Sequence, residues 1–161
     1  MRISETELQF FTRSEFDRGG RNWFEHMSPK ALVLLDTTRL QWESKIKISP
    51  DPGALGRTGS KNEYSQHYHL RPGGVGAIDH IPEGIETAED VERYVYLLTS
   101  LGWTGIGFYP VGASGPRFHG DVRTDQRPLH PATWGQAPDS KGALRTVSIR
   151  DAVDYFDRRA Y

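Results

Sequence analysis

The chain has 161 residues, 36% hydrophobic and 25% charged, which suits one domain spanning 1–161 with a real core. Its 20 Lys and Arg against 21 Asp and Glu leave a formal net charge of -1, so nothing global draws it to nucleic acid or to an anionic membrane. The absence of cysteine excludes a disulfide framework, cysteine zinc fingers and thiol catalysis, and no apolar run reaches the roughly 18 residues of a spanning helix.

The opening "MRISETELQFFTRSEF" mixes charge with apolar residues and lacks the apolar core and small-residue cleavage site of a secretory signal. The expectation is a chain made in a cytoplasm without such a leader. In "SPKALVLLDTTRLQWES", Ser28 can cap a helix, Pro29 suits its first position, and Leu32, Leu35 and Trp42 approximate one apolar face. "KIKIS", 45–49, alternates as a half-buried strand does, and "PDPGALGRTGSKNEYS" then breaks regular structure before His67.

Next comes "SQHYHLRPGGVGAID", which brings two histidines, a glycine-rich bend and Asp79 into one short stretch. Its "GGVG" has no helix opening directly behind it, which excludes a phosphate-binding loop of the usual sequence type. A second helix follows, with Thr87 and Asp90 as a capping box, Val91, Tyr94, Val95 and Leu98 at helical spacing, and Gly102 as the stop. "GIGFYP" and "RFHGDV" read as an antiparallel hairpin around "VGASGP". After the proline-rich "RPLHPATWGQAPDS", Ser148 and Asp151 can cap a final helix within "SIRDAVDYFDRRAY". Helices set among short strands, without a regular β-α-β rhythm, predict an α+β fold: a small antiparallel sheet with flanking helices.

Three residues at the edges of predicted strands offer metal-binding chemistry without cysteine: His67, Asp79 and His119. A zinc hydrolase uses about three such ligands and leaves one position open, because the metal must activate water and polarise a carbonyl. His69 is a rival to His67. Single histidines and aspartates at strand edges are usually solvated, and the spacing matches no HExxH pattern. From the residues alone, a candidate metal site is as far as the reading goes. His26, His80 and His130 fall outside it and read as structural or surface residues.

In chain order, "SQH", "GAID", "GIGFYP" and "FHGDVR" resemble the motifs of the M15 zinc peptidases, the D-alanyl-D-alanine carboxypeptidase-like family. "FFTRSEF" and "ATWG" are similar to flanking segments of a phage-encoded branch, so the resemblance covers most of the chain. It implies a hedgehog/DD-peptidase-like fold and a Zn2+ ion held by His67, Asp79 and His119. Two departures stand out. Asp79 follows His67 by twelve positions, more than in many members, and Pro116 occupies the position, three before the last ligand, where several relatives carry an acid. Asp121 lies on the same strand face as His119, where it can serve as general base, orient a ligand, or pair with Arg123.

On the substrate side, the resemblance and residue chemistry nominate Arg57 and Arg123 as carboxylate clamps, Tyr109 with Trp134 as cleft lining, and Ser65 as the residue fixing the loop before His67. The implied activity is zinc-dependent hydrolysis of a peptide bond in peptidoglycan stem peptides containing D-amino acids. The enzyme would be a monomeric metallopeptidase, a carboxypeptidase or endopeptidase, acting at the cell wall as an endolysin or within a virion. The alternative from another class is a non-catalytic, metal-containing wall-binding or virion structural module of the same fold.

Overall fold

A computed structural model describes residues 4, 7–59, 63–112, 114–127 and 129–159. Strands β1 (Asp17–Arg18) and β2 (Arg21–Asn22) form a small hairpin near the N-terminus. Helix α1 (Pro29–Trp42) leads to β3 (Ile46–Ile48) and, after a long loop, to β4 (Ala77–Pro82). Helix α2 (Ala88–Leu101) is followed by β5 (Gly105–Tyr109), β6 (Arg117–Asp121), β7 (Ala132–Pro138), β8 (Leu144–Val147) and helix α3 (Ile149–Asp157). The six later strands make one sheet in the order β3-β4-β6-β5-β7-β8.

Each helix is set by local chemistry that the sequence announces. Pro29 opens α1, although Ser28 makes no side-chain capping bond. In α2, Thr87 accepts the Asp90 N–H while the Asp90 carboxylate accepts the Thr87 N–H, and Gly102 takes the left-handed φ of 96° that ends the helix. Ser148 caps α3 by accepting the Asp151 N–H. The final helix expected within 148–161 runs from Ile149 to Asp157, and residues 160 and 161 lie outside the described ones.

The sheet departs from the expected small antiparallel one. The β5–β6 hairpin is antiparallel as predicted, but β5 and β7 run parallel, with Gly105 opposite Ala132 and Gly107 opposite Trp134. Both β7 and its antiparallel partner β8 come from the segment after the hairpin, where Pro131 and Pro138 at the two ends of β7 hid that strand and β8 was not singled out. Pro138 ends β7, where a missing N–H costs the ladder little.

Strand alternation divides the sheet into two faces. Ile78, His80, Ile106, Phe108 and Phe118 face the helices and are fully buried with Tyr94, Leu98 and Trp103. Their rings interlock: Tyr94 lies 4.6 Å from Phe118, and Phe108 lies 4.9 Å from Phe118. Truncating one such core aromatic costs about 3–5 kcal/mol. His80 belongs to this core. It stacks on Trp103 and Phe118, and burial pushes its pKa down to about 4, so it is held neutral. The opposite face carries Asp79, Tyr109, His119, Asp121 and Trp134.

Candidate metal centre

Register brings the first two candidate ligands together. Asp79 of β4 pairs directly with His119 of β6, in mid-strand and not at the strand edges the sequence suggested. His67 arrives from the loop before β4. That loop is closed where the Gly76 N–H donates to the Gln66 carbonyl, and it is tied to the neighbouring backbone where Arg57 N–H donates to the His67 carbonyl. Ser65 contributes as expected of a loop-fixing residue, since its Oγ accepts the His67 N–H at 3.2 Å.

The result is a buried cluster in which one ligand atom each from His67, Asp79 and His119 lies within 4.8 Å of the others. Asp79 Oδ1 is 2.8 Å from His119 Nδ1 and 3.4 Å from His67 Nε2, and those two nitrogens are 3.1 Å apart. Two imidazole nitrogens and a carboxylate oxygen converging on one point form a donor set that suits a divalent metal such as zinc. His69 stays outside. Its Nδ1 lies 3.2 Å from the Arg57 carbonyl and its ring packs edge-on to Tyr68.

His119 is anchored from behind. Its other nitrogen, Nε2, lies 3.0 Å from Asp121 Oδ2, and the fully buried Asp121 carboxylate is gripped by Arg123 through Nε at 2.9 Å and through Nη2. Arg123 also lies over the Trp134 ring, and that ring packs 5.0 Å from His119. His67 has no such support, because its Nδ1 is buried without a hydrogen-bond partner among the described residues.

The charges follow from these contacts. Burial opposes ionisation of Asp79, but hydrogen bonds from His119 and His67 outweigh it and hold the carboxyl well below its usual range. Asp121 is likewise lowered against burial, by Arg123 and then His119. Burial also opposes protonation of His119, yet the two carboxylates on either side prevail and raise it to about 9. In His67 burial wins, and the pKa falls. The metal-free centre is therefore an imidazolium between two carboxylates, with a guanidinium behind.

No family model, curated protein or solved structure matches the chain. The centre stands on its own geometry.

Two residues that sequence reasoning passed over make that geometry feasible. A Cβ on Gly105 would lie 2.3 Å from the Asp121 carboxylate, and one on Gly107 would lie 2.7 Å from Trp134 Nε1. Only bare backbone at these points of β5 lets the Asp121 carboxylate and the Trp134 ring lie across the strand. The signal was present in "GIGFY", where alternate glycines strip one strand face of side chains.

The proposed substrate residues separate into two groups. Tyr109 lies on the same sheet face and its hydroxyl oxygen accepts the Trp134 N–H at 3.1 Å. Burial and the Asp79 charge push its pKa to about 12, so it remains a donor. Arg57 is exposed, with its Nε turned to the Gly53 carbonyl, and its charge is felt by His67 and Tyr109. Arg123, in contrast, is committed to Asp121. A cation not nominated from the sequence, Arg117, sits two residues before His119, pairs with Asp51 and lies 5.3 Å from the Tyr109 ring centre.

Proposed function

We propose that the protein is a zinc-dependent peptidase of the M15 type, cleaving a peptide bond in peptidoglycan stem peptides containing D-amino acids. One observation carries the metal part of this reading: a buried His67–Asp79–His119 set whose last ligand is oriented by a buried carboxylate. Such carboxylate–histidine–metal relays are characteristic support for a zinc ligand. The peptidoglycan part rests on the order of the sequence motifs. The site of action, at the cell wall or within a virion, rests there too.

When bound, zinc supplies a Lewis acid for the scissile carbonyl and lowers the pKa of a water. The chain's own residues do the rest. Asp121 fixes the His119 ring so that Nδ1 faces the other ligands, and Arg123 keeps Asp121 ionised. This makes Asp121 a positioning residue in our reading, since its oxygens are turned to His119 and Arg123 and away from His67 and Asp79. Tyr109 receives the Trp134 N–H on its oxygen, which leaves the phenolic hydrogen free to donate to the substrate carbonyl oxygen as charge builds there. Arg57 at the rim provides a cation for a substrate carboxylate.

A second reading, the non-catalytic wall-binding or virion module, is favoured by one feature: with Pro116 at the usual acid position and Asp121 behind His119, the base is missing from both expected places. One experiment separates the two readings. Purified protein is assayed for zinc and incubated with muropeptides, whose fragments are weighed by mass spectrometry, with His119→Ala as control. The peptidase reading expects about one zinc per chain and new peptide termini that disappear in the variant. Zinc with intact muropeptides assigns the module, and absence of zinc defeats both readings.

A further inference from the structure

Beside the metal centre, past the Asp121 end of β6, lies a concavity of about 390 Å3. Lys30, Arg71 and Arg123 line it together with Gln66, Thr124 and Gln126, and among the described residues no aspartate or glutamate contributes to its wall. In a chain where acidic and basic residues nearly balance, three cations and no acid around one hollow is a local excess of positive charge. The excess is only partly neutralised. Arg123 is engaged by Asp121 and feels Asp125, whereas the Lys30 and Arg71 side chains have no hydrogen bond or ion pair among the described residues.

Part of the wall is glycine backbone, at Gly73, Gly74 and Gly76. Gly73 and Gly74 adopt φ values of 84° and 90°, and the turn they make brings Gly74 against residues 26–28, where a Cβ would lie 2.8 Å from the His26 carbonyl oxygen. Close approach of the two segments is what sets Arg71 and Lys30, distant in sequence, around one cavity. The glycine stretch had been excluded as a phosphate loop because no helix opens directly behind it in sequence. In space, the start of α1 lies beside it.

We propose that this cavity is an oxyanion-binding site that takes a phosphate dianion, free or as a phosphomonoester. Charge selects the class: Arg123 is already balanced by Asp121, so two uncompensated cations remain, and they match two negative charges better than the single charge of a carboxylate or phosphodiester. Gln66, Thr124 and Gln126 supply further polar partners around a group of that size. The site shares Arg123 with the metal centre, and Gln66 adjoins His67, yet its ligand would be held without any metal. The proposal therefore does not depend on peptidase activity.

The test is a titration of the purified protein, as isolated and again after treatment with a chelator, with inorganic phosphate at about pH 7.5, where phosphate is mainly a dianion, followed by backbone amide shifts. Saturable shifts are expected at Lys30, Gly73, Gly74 and Thr124, with affinity falling as salt rises. In Lys30→Gln/Arg71→Gln, affinity should drop at least about 10-fold, as expected for loss of charge-assisted bonds. Acetate should bind more weakly than phosphate. Glycerol 3-phosphate binding as tightly as phosphate assigns the cavity to the phosphoryl group itself, and tighter binding assigns it to esters. Unsaturable shifts, shifts confined to residues around His67, Asp79 and His119, an unchanged double variant, or acetate binding equal to phosphate would each overturn the proposal.

Discussion

Replacing Asp121 by Asn tests whether that carboxylate orients His119 or takes a proton in the reaction. In the metal-free centre His119 titrates at about 9, held up against burial by Asp121 and Asp79. A metal must displace this proton from Nδ1, so zinc affinity should rise tenfold per pH unit up to about pH 9 and then level off. At pH 7 the proton competition amounts to about two pH units, or roughly 3 kcal/mol. The Asn amide has nearly the same size but no charge. It removes a charge-assisted bond worth about 1.5–3 kcal/mol, so the break in the pH profile should move down by about 1 to 2 units.

Above the break, where the proton no longer competes, the variant's zinc affinity should lie about 10- to 100-fold below wild type, the usual cost of losing such a supporting carboxylate. The two effects partly cancel near neutral pH, so a single measurement there would mislead. The assay is competition against a chromophoric chelator across about pH 6 to 10, with near-ultraviolet circular dichroism to verify the fold. If break and plateau are unchanged while peptide hydrolysis falls by about two orders of magnitude, Asp121 is the base and the positioning role is wrong. If nothing changes, Asp121 has no part in the centre.

Four further outcomes are expected. His67→Ala and His119→Ala should lose stoichiometric zinc with the fold intact, whereas His69→Ala should keep it, because His69 is bonded to the Arg57 carbonyl outside the cluster; metal analysis of the purified variants decides this. Gly105→Ala should push Asp121 off His119, lowering stability by about 1–3 kcal/mol in chemical denaturation and weakening zinc, since its Cβ would sit 2.3 Å from a carboxylate oxygen. Tyr109→Phe should lower kcat by roughly 100-fold or more with KM and zinc content little changed, and an unaltered kcat would remove the phenol from the reaction. For metal-free protein, the raised His119 pKa contributes stability that is complete below about pH 6.5 and lost as pH rises through about 9, roughly 3 kcal/mol in all; zinc should abolish that slope in urea titrations.

The features legible in the sequence are the local ones. The capping residues Thr87 and Ser148 announce their helices, and His119 and Asp121 share a strand face by simple alternation. Non-local pairing was hidden. Nothing in "RPLHPATWGQAPDS" shows that β7 lies parallel to β5, because parallel pairing is decided by the sheet and leaves no turn signature between the partners. Yet that pairing puts Trp134 over His119 and beside Tyr109.

The spacing between His67 and Asp79 illustrates the same distinction. Measured along the chain, an offset of twelve positions makes the two look poorly matched as ligands. Successive turns join Tyr68 N–H to Ser65, Arg71 N–H to Tyr68 and Gly74 N–H to Arg71, and the Gly76 N–H then returns to Gln66. Val75 is meanwhile bonded on both sides to residues 26 and 28. The residues between the two are thus looped out between two pinned ends. Insertion there changes the length of the excursion and the cavity around Arg71, but leaves His67 over Asp79, because the ligand's position is set by backbone bonds at the base of the loop.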